Sequence, residues 1–180
     1  EEEKKLMAET GTNVAHCPSV FFTRGAYMKS LQHYTDLGIN VGIGTDTFPQ
    51  DMIREMRLAT NLSKVADQDF RSAKSDLVFR CATQNGARAL GRDDIGKIAA
   101  GAKADIAVVD MDAFNTVPVR DPIKVLISCG TAHNVSDTIV DGKVLMKDKK
   151  LISMDEEKVK REAWAAAKAV WGRAPRLDEL

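Results

Sequence analysis

The chain has 180 residues, long enough to bury a sizeable core as one large or two modest domains. Its 26 Lys and Arg balance 26 Asp and Glu, so no net field recruits nucleic acid or an anionic membrane, and no apolar run approaches the roughly 20 residues of a membrane span. Cys17, Cys81 and Cys129 are widely spaced and form no CxxC pair, and Glu1-Glu2-Glu3-Lys4-Lys5 is the opposite of a signal peptide; the expectation is a cytoplasmic chain with unpaired thiols.

In chain order, residues 1–10 read as the last turns of a helix, with Leu6 and Met7 inward and Gly11 as its stop. Thr12 to Cys17 reads as a short strand that ends in His16, with Pro18 forbidding extension. Phe21, Phe22, Arg24 and Gly25 are expected in a loop. Met28, Leu31, Tyr34 and Leu37 recur by threes and predict a helix over 26–37, closed by Gly38. Ile39 to Ile43 then reads as a buried strand running into Gly44-Thr45-Asp46, with Pro49 stopping it. An acidic side chain at the carboxyl end of a buried strand is where α/β barrels and open α/β sheets keep their chemistry. Asp51 predicts the cap of a helix over 52–64, and Ser72 or Ser75 that of a helix over 76–90 ending at Gly91. Strand and helix alternate with no hairpin signal, which predicts parallel strands and right-handed crossovers.

From Gly96 the texture changes to short β runs at Ile98, Ile106–Val109, Val125–Ser128, Val135–Val140 and Lys143–Met146. Asp141-Gly142 between two of them is a strong hairpin signal, so a small, largely antiparallel unit is expected. Val159, Ala163, Ala166, Ala167 and Val170 predict a final helix, with Trp164 and Trp171 on one face.

Four segments, in order, carry a family resemblance: Val14-Ala15-His16-Cys17-Pro18; Gly44-Thr45-Asp46; Ala82-Thr83-Gln84-Asn85-Gly86-Ala87-Arg88-Ala89-Leu90-Gly91; and Gly96-Lys97-Ile98-Ala99-Ala100-Gly101-Ala102-Lys103-Ala104-Asp105. Asp121-Pro122 and Val140-Asp141-Gly142-Lys143-Val144 continue it. Together they resemble the C-terminal portion of the amidohydrolase superfamily, in its aminohydrolase and chlorohydrolase group (cytosine, guanine, adenosyl-homocysteine and triazine hydrolases). The resemblance implies an α/β fold: the C-terminal strands and helices of a (β/α)8 metal-dependent hydrolase barrel over 1–93, a small, mostly antiparallel β segment over 94–154, and a C-terminal helix and tail over 155–180.

It also implies that Asp46 ligates a divalent metal, zinc first and iron as the alternative. The same carboxylate would take the proton of the water that the metal activates, for attack on a carbon bearing an amine or halide. His16, at the end of the other strand, would be a catalytic-site residue facing the pocket, either touching the substrate or supporting the groups that do. Zinc takes three or four N, S or O ligands, and this chain has only His16, His33 and His133, with no HxH or HxxE pair, so the remaining ligands are expected outside it.

Where the family continues HCP with x-Ser-Asn, this chain has Ser19-Val20-Phe21, which suggests an apolar or aromatic pocket wall of Phe21 and Phe22. Thr45 and Thr47 could orient Asp46, and Arg24 and Arg54 are candidates for anionic substrate contacts. Cys17 beside His16 is a poor nucleophile pair, because adjacent strand residues point to opposite faces. His33 and His133 read as solvated or structural, and Asp105 as a turn aspartate.

The function expected is the C-terminal portion of a metal-dependent deaminase or dechlorinase. It would act on an amine- or halide-bearing heterocycle or amidine and be inactive without its N-terminal part. It would need that part or self-association to cover its strand edges. The alternatives are a non-catalytic binding or assembly module built on the same scaffold and, more weakly, an open α/β phosphate cradle, which lacks G-x-G-x-x-G.

Overall fold

The computed structural model of the chain describes residues 1–46 and 49–172. Thr47 and the tail beyond residue 172 therefore lie outside the described residues. The chain is α/β with a small antiparallel sheet. α1 (Glu2–Glu9) closes at Thr10 with Gly11 in the left-handed region behind it. Met7 packs against the core as expected, whereas Leu6 is exposed. β1 (Val14–His16) and the wholly buried β2 (Val41–Ile43) pair in parallel, Val14 opposite Val41 and His16 opposite Ile43. Between them run α2 (Pro18–Thr23) and α3 (Leu31–Asp36), the crossover that parallel pairing demands.

α2 occupies the segment expected as a loop. Pro18 does end β1, but its fixed φ also suits the first helical position, and the chain turns directly into a helix there. α3 begins later than the apolar spacing suggests because Ser30 caps it, its Oγ accepting from the His33 amide at 3.1 Å.

α4 (Met52–Asp67) is the spine of the molecule. Asp51 caps it as predicted, accepting from the amides of Ile53 at 3.0 Å and Arg54 at 3.1 Å. The helix expected over 76–90 is broken into α5 (Ser75–Ala82) and α6 (Gln84–Ala89). At the break Thr83 leaves the helical region and its hydroxyl donates back to Phe79 O at 2.8 Å. The kink lets α6 dock on β2, where the Asn85 amide donates to Val41 O at 3.0 Å. The α5 cap is Lys74, with no side-chain bond, rather than Ser72 or Ser75.

β3 (Ile106–Val109), β4 (Val135–Val140), β5 (Lys143–Lys147) and β6 (Lys150–Leu151) form an antiparallel sheet in that order. Asp141 and Gly142 both take positive φ, +49° and +78°, as the two-residue hairpin requires. Two expected β runs are not strands. Ile98 lies exposed in a loop, and Val125–Ser128 belongs to α7 (Pro122–Cys129). Asp121 accepts from the Lys124 amide at 3.0 Å and Pro122 takes the first position, a helix start that outweighs the β-branched content. Ile127 of α7 is buried in the core with Leu31, Val41, Met56 and Val78, so α7 packs into the α/β part. α8 (Glu156–Trp171), capped by Asp155, buries no residue; Trp164 and Trp171 meet edge to face at 6.1 Å. Among the described residues no helix is long and apolar enough to cross a membrane.

Candidate functional site

The parallel pairing brings His16 and Asp46 to the same end of the two-stranded sheet. The Gly44 N–H donates to His16 O at 2.9 Å, locking the two strand ends together. His16 is only 3% exposed, its Nδ1 has no hydrogen-bond partner among the described residues, and its ring stacks on Phe21 at 6.5 Å and 30°. Burial pushes its pKa down to about 4, so the imidazole is neutral at pH 7.

Asp46 lies three residues past Ile43 and is exposed. Its φ of +56° is left-handed, a conformation that aspartate tolerates better than most residues and that clusters at functional sites. Among the described residues its carboxylate has no hydrogen-bond partner.

Cys17 sits between these groups, its Sγ 3.4 Å from where a Cβ on Gly44 would stand. Burial first, then the charges of Asp46 and Glu55, raise the thiol, so it is not a thiolate nucleophile at neutral pH.

Glu55 was not anticipated from the sequence. It is 0% exposed, and its Oε2 accepts from the Ser19 N–H at 2.9 Å while Oε1 has no partner among the described residues. A signal was available: Glu55 stands three residues after Met52 and four before Ala59, on the core-facing stripe of α4, where a charge is out of place.

The other candidates scatter. Thr45 is half-buried beside Asp46, and Arg24 and Arg54 are exposed. His33 Nε2 lies 3.1 Å from Glu1 Oε2. His133 is exposed in the short 3-10 turn Ala132–Asn134. Asp105 accepts from the Asp141 N–H at 2.7 Å, the structural work expected of it. A cleft of about 800 Å³ lies elsewhere, between the start of α4, α5 and α6 and the antiparallel sheet. Met52, Met56, Phe79, Ile106, Leu126 and Val135 help line it, and neither His16 nor Asp46 does.

Among the described residues no three His, Cys, Asp or Glu side chains converge to hold a metal ion. The donor chemistry of the described residues fits one ligand of such a metal, the exposed carboxylate of Asp46.

Residues 1–145 match the family described as the amidohydrolase family. The chain is 39% identical over 178 residues to a 5-methylthioadenosine/S-adenosylhomocysteine deaminase of Haloarcula marismortui, covering 97% of this chain and 41% of the relative. It is similar in structure to an adenosine deaminase from Xanthomonas campestris with bound zinc, at 31% identity and a TM-score of 0.90, covering 95% of this chain and 40% of that one. It is also similar to an atrazine chlorohydrolase from Arthrobacter aurescens complexed with zinc, at 29% identity and a TM-score of 0.79, covering 91% and 38%. The chain thus spans about two-fifths of the length of the relatives it matches.

Proposed function

We propose a function from one premise: this chain belongs to the amidohydrolase family. It is the C-terminal portion of a hydrolase that replaces an amino group on a heterocycle with oxygen, and its substrates are adenosines modified at the 5′ position. β1 and β2 are the last strands of a barrel over 1–93, followed by a composite β segment over 94–154 and a terminal helix over 155–180. The observation that carries this reading is the Asp46 carboxylate, exposed and without a hydrogen-bond partner among the described residues, held in left-handed backbone at the end of a buried strand parallel to β1. The identity to a deaminase over 97% of the chain supports it.

Asp46 would hold a divalent metal, zinc before iron, as one ligand among several, the others coming from the rest of the barrel. Such a metal supplies Lewis-acid activation of water near neutral pH. Asp46 holds the proton taken from the attacking water and returns it to the departing amine, so that a C–N bond breaks, a C–O bond forms and ammonia leaves. His16, buried and neutral at pH 7, acts from behind the site: its uncharged ring positions Phe21, on which it stacks. Phe21, half-exposed and stacked on it, gives a planar heterocycle an aromatic wall.

The test is ammonia release. This chain, mixed with a polypeptide supplying the remaining length of its relatives and with zinc, should liberate ammonia from 5′-methylthioadenosine. Chloride release from a chlorotriazine instead would move the leaving group to halide. Neither product from an assembled pair would leave the binding-module reading in its place.

A further inference from the structure

The proposed chemistry leaves Glu55 without a task, although burying a carboxylate with one oxygen unpartnered is expensive and a neutral side chain would pack there more easily. What Glu55 does hold is the junction between β1 and α2. Cys17, the N-cap of α2, makes no side-chain cap bond, and Pro18 at the first position has no N–H. The next amide, Ser19 N–H, would be orphaned in the interior, and Glu55 reaches it at 2.9 Å from a helix 36 positions away in sequence. The same four-residue junction is held at its other end by the Gly44 N–H on His16 O. Two residues beyond Ser19, Phe21 stacks on the His16 ring. The junction is therefore fixed at both ends, one by β2 and one by α4, and the His16–Phe21 pair rides on it.

We infer that Glu55 is a positioning residue: by accepting the Ser19 N–H it sets the β1–α2 turn and with it the orientation of the His16 and Phe21 rings at the end of β1. The importance of this for catalysis rests on the proposed function, whereas the positioning itself does not. That the charges of Glu55 and Asp46 both reach Cys17 agrees with the start of α4 lying close beneath the strand ends.

The test is NMR on this chain, without metal or substrate, comparing wild type with Glu55→Ala, Glu55→Gln and Glu55→Asp. In the wild type the Ser19 amide is protected and the His16 and Phe21 rings show a mutual contact. Glu55→Ala should speed Ser19 exchange on the order of tenfold or more and erase the ring contact. Glu55→Gln, with an acceptor oxygen at the same reach, should restore both. If Glu55→Ala fails to fold, Glu55→Asp, one methylene short, takes its place against Gln and should lose both signals. Protection and ring contact unchanged in a folded Ala or Asp variant, or failure of Gln to restore them, overturns the inference. With the assembled pair, Glu55→Ala should lower kcat/KM for ammonia release while Gln retains it; equal kcat/KM for Ala and wild type overturns the importance of the turn for catalysis. A wild-type pair that releases no ammonia defeats the proposed function instead, and the exchange and ring-contact signals still decide whether Glu55 sets the turn.

Discussion

His16 and Asp46 show how one strand end can hold two opposite environments. His16 is sealed and neutral, and Asp46 three residues past its pairing partner is open. The sealed histidine has a measurable consequence. Its pKa is about 4 in the fold against about 6.5 unfolded, so the fold favours the neutral ring. That contribution is complete above pH 6.5 and is lost as pH falls from 6.5 towards 4, amounting to about 3 kcal/mol at most. Denaturant unfolding at a series of pH values should show the wild type losing stability across this window and His16→Gln giving a flatter profile. Parallel profiles would mean that His16 is solvated.

Asp46 makes a different prediction. Asparagine also accepts left-handed backbone, so Asp46→Asn should change stability by less than about 0.5 kcal/mol, whereas Asp46→Ala should cost about 1 kcal/mol in the same assay. The strand ends that carry both residues were legible from periodicity and the turn that follows, whereas the roles expected of them came from the family resemblance alone. Glu55 was not legible, because a charged residue in a helix defaults to solvent and only its register against Met52 and Ala59 argues otherwise.

At the scale of elements, α4 organises the chain. Asp51 caps its start, Glu55 holds α2, and Ser63 Oγ accepts from the Leu31 amide at the head of α3 at 3.3 Å. Asp67 accepts from Ser30 Oγ at 2.7 Å and from Ser72 Oγ. Arg57 donates to Ile127 O at 2.8 Å and to Gly130 O, tying the end of α7 to α4. Arg57→Ala removes both donors from half-buried carbonyls and should cost about 2 kcal/mol by chemical denaturation, with Arg57→Lys recovering only part.

A second joint is Gly96, at φ +77°, where an added Cβ would stand 2.9 Å from the Ala87 Cβ and 3.0 Å from Thr83 O. Gly96→Ala should therefore lower stability by more than about 1 kcal/mol and shift the melting temperature down. The Asp141-Gly142 hairpin was readable because turn chemistry is local, whereas the β run read at Ile98, just after Gly96, lies in a loop. α7 was misread because Val125 and Ile127 carry strand propensity while the Asp121-Pro122 start and the packing of Ile127 decide for helix. The break at Thr83 was invisible because it serves the docking of α6 on β2, a contact between residues 44 positions apart.

At the scale of the whole molecule, the chain has a two-stranded parallel sheet, a four-stranded antiparallel sheet and an apolar cleft of about 800 Å³ between the latter and α4 to α6. It spans about two-fifths of its relatives' length, and its described residues bring one free carboxylate, not three ligands, to the strand ends. The proposed function requires this carboxylate to complete a metal site when the rest of the barrel is present. The direct measurement is zinc content and ammonia release of the assembled pair, wild type against Asp46→Asn, the variant that leaves the backbone at ease. Stoichiometric zinc with deamination is expected for the wild type, and weakened zinc with no ammonia for Asp46→Asn. A wild-type pair that takes up no zinc, or an Asp46→Asn pair that releases ammonia at the wild-type rate, would contradict the proposed function.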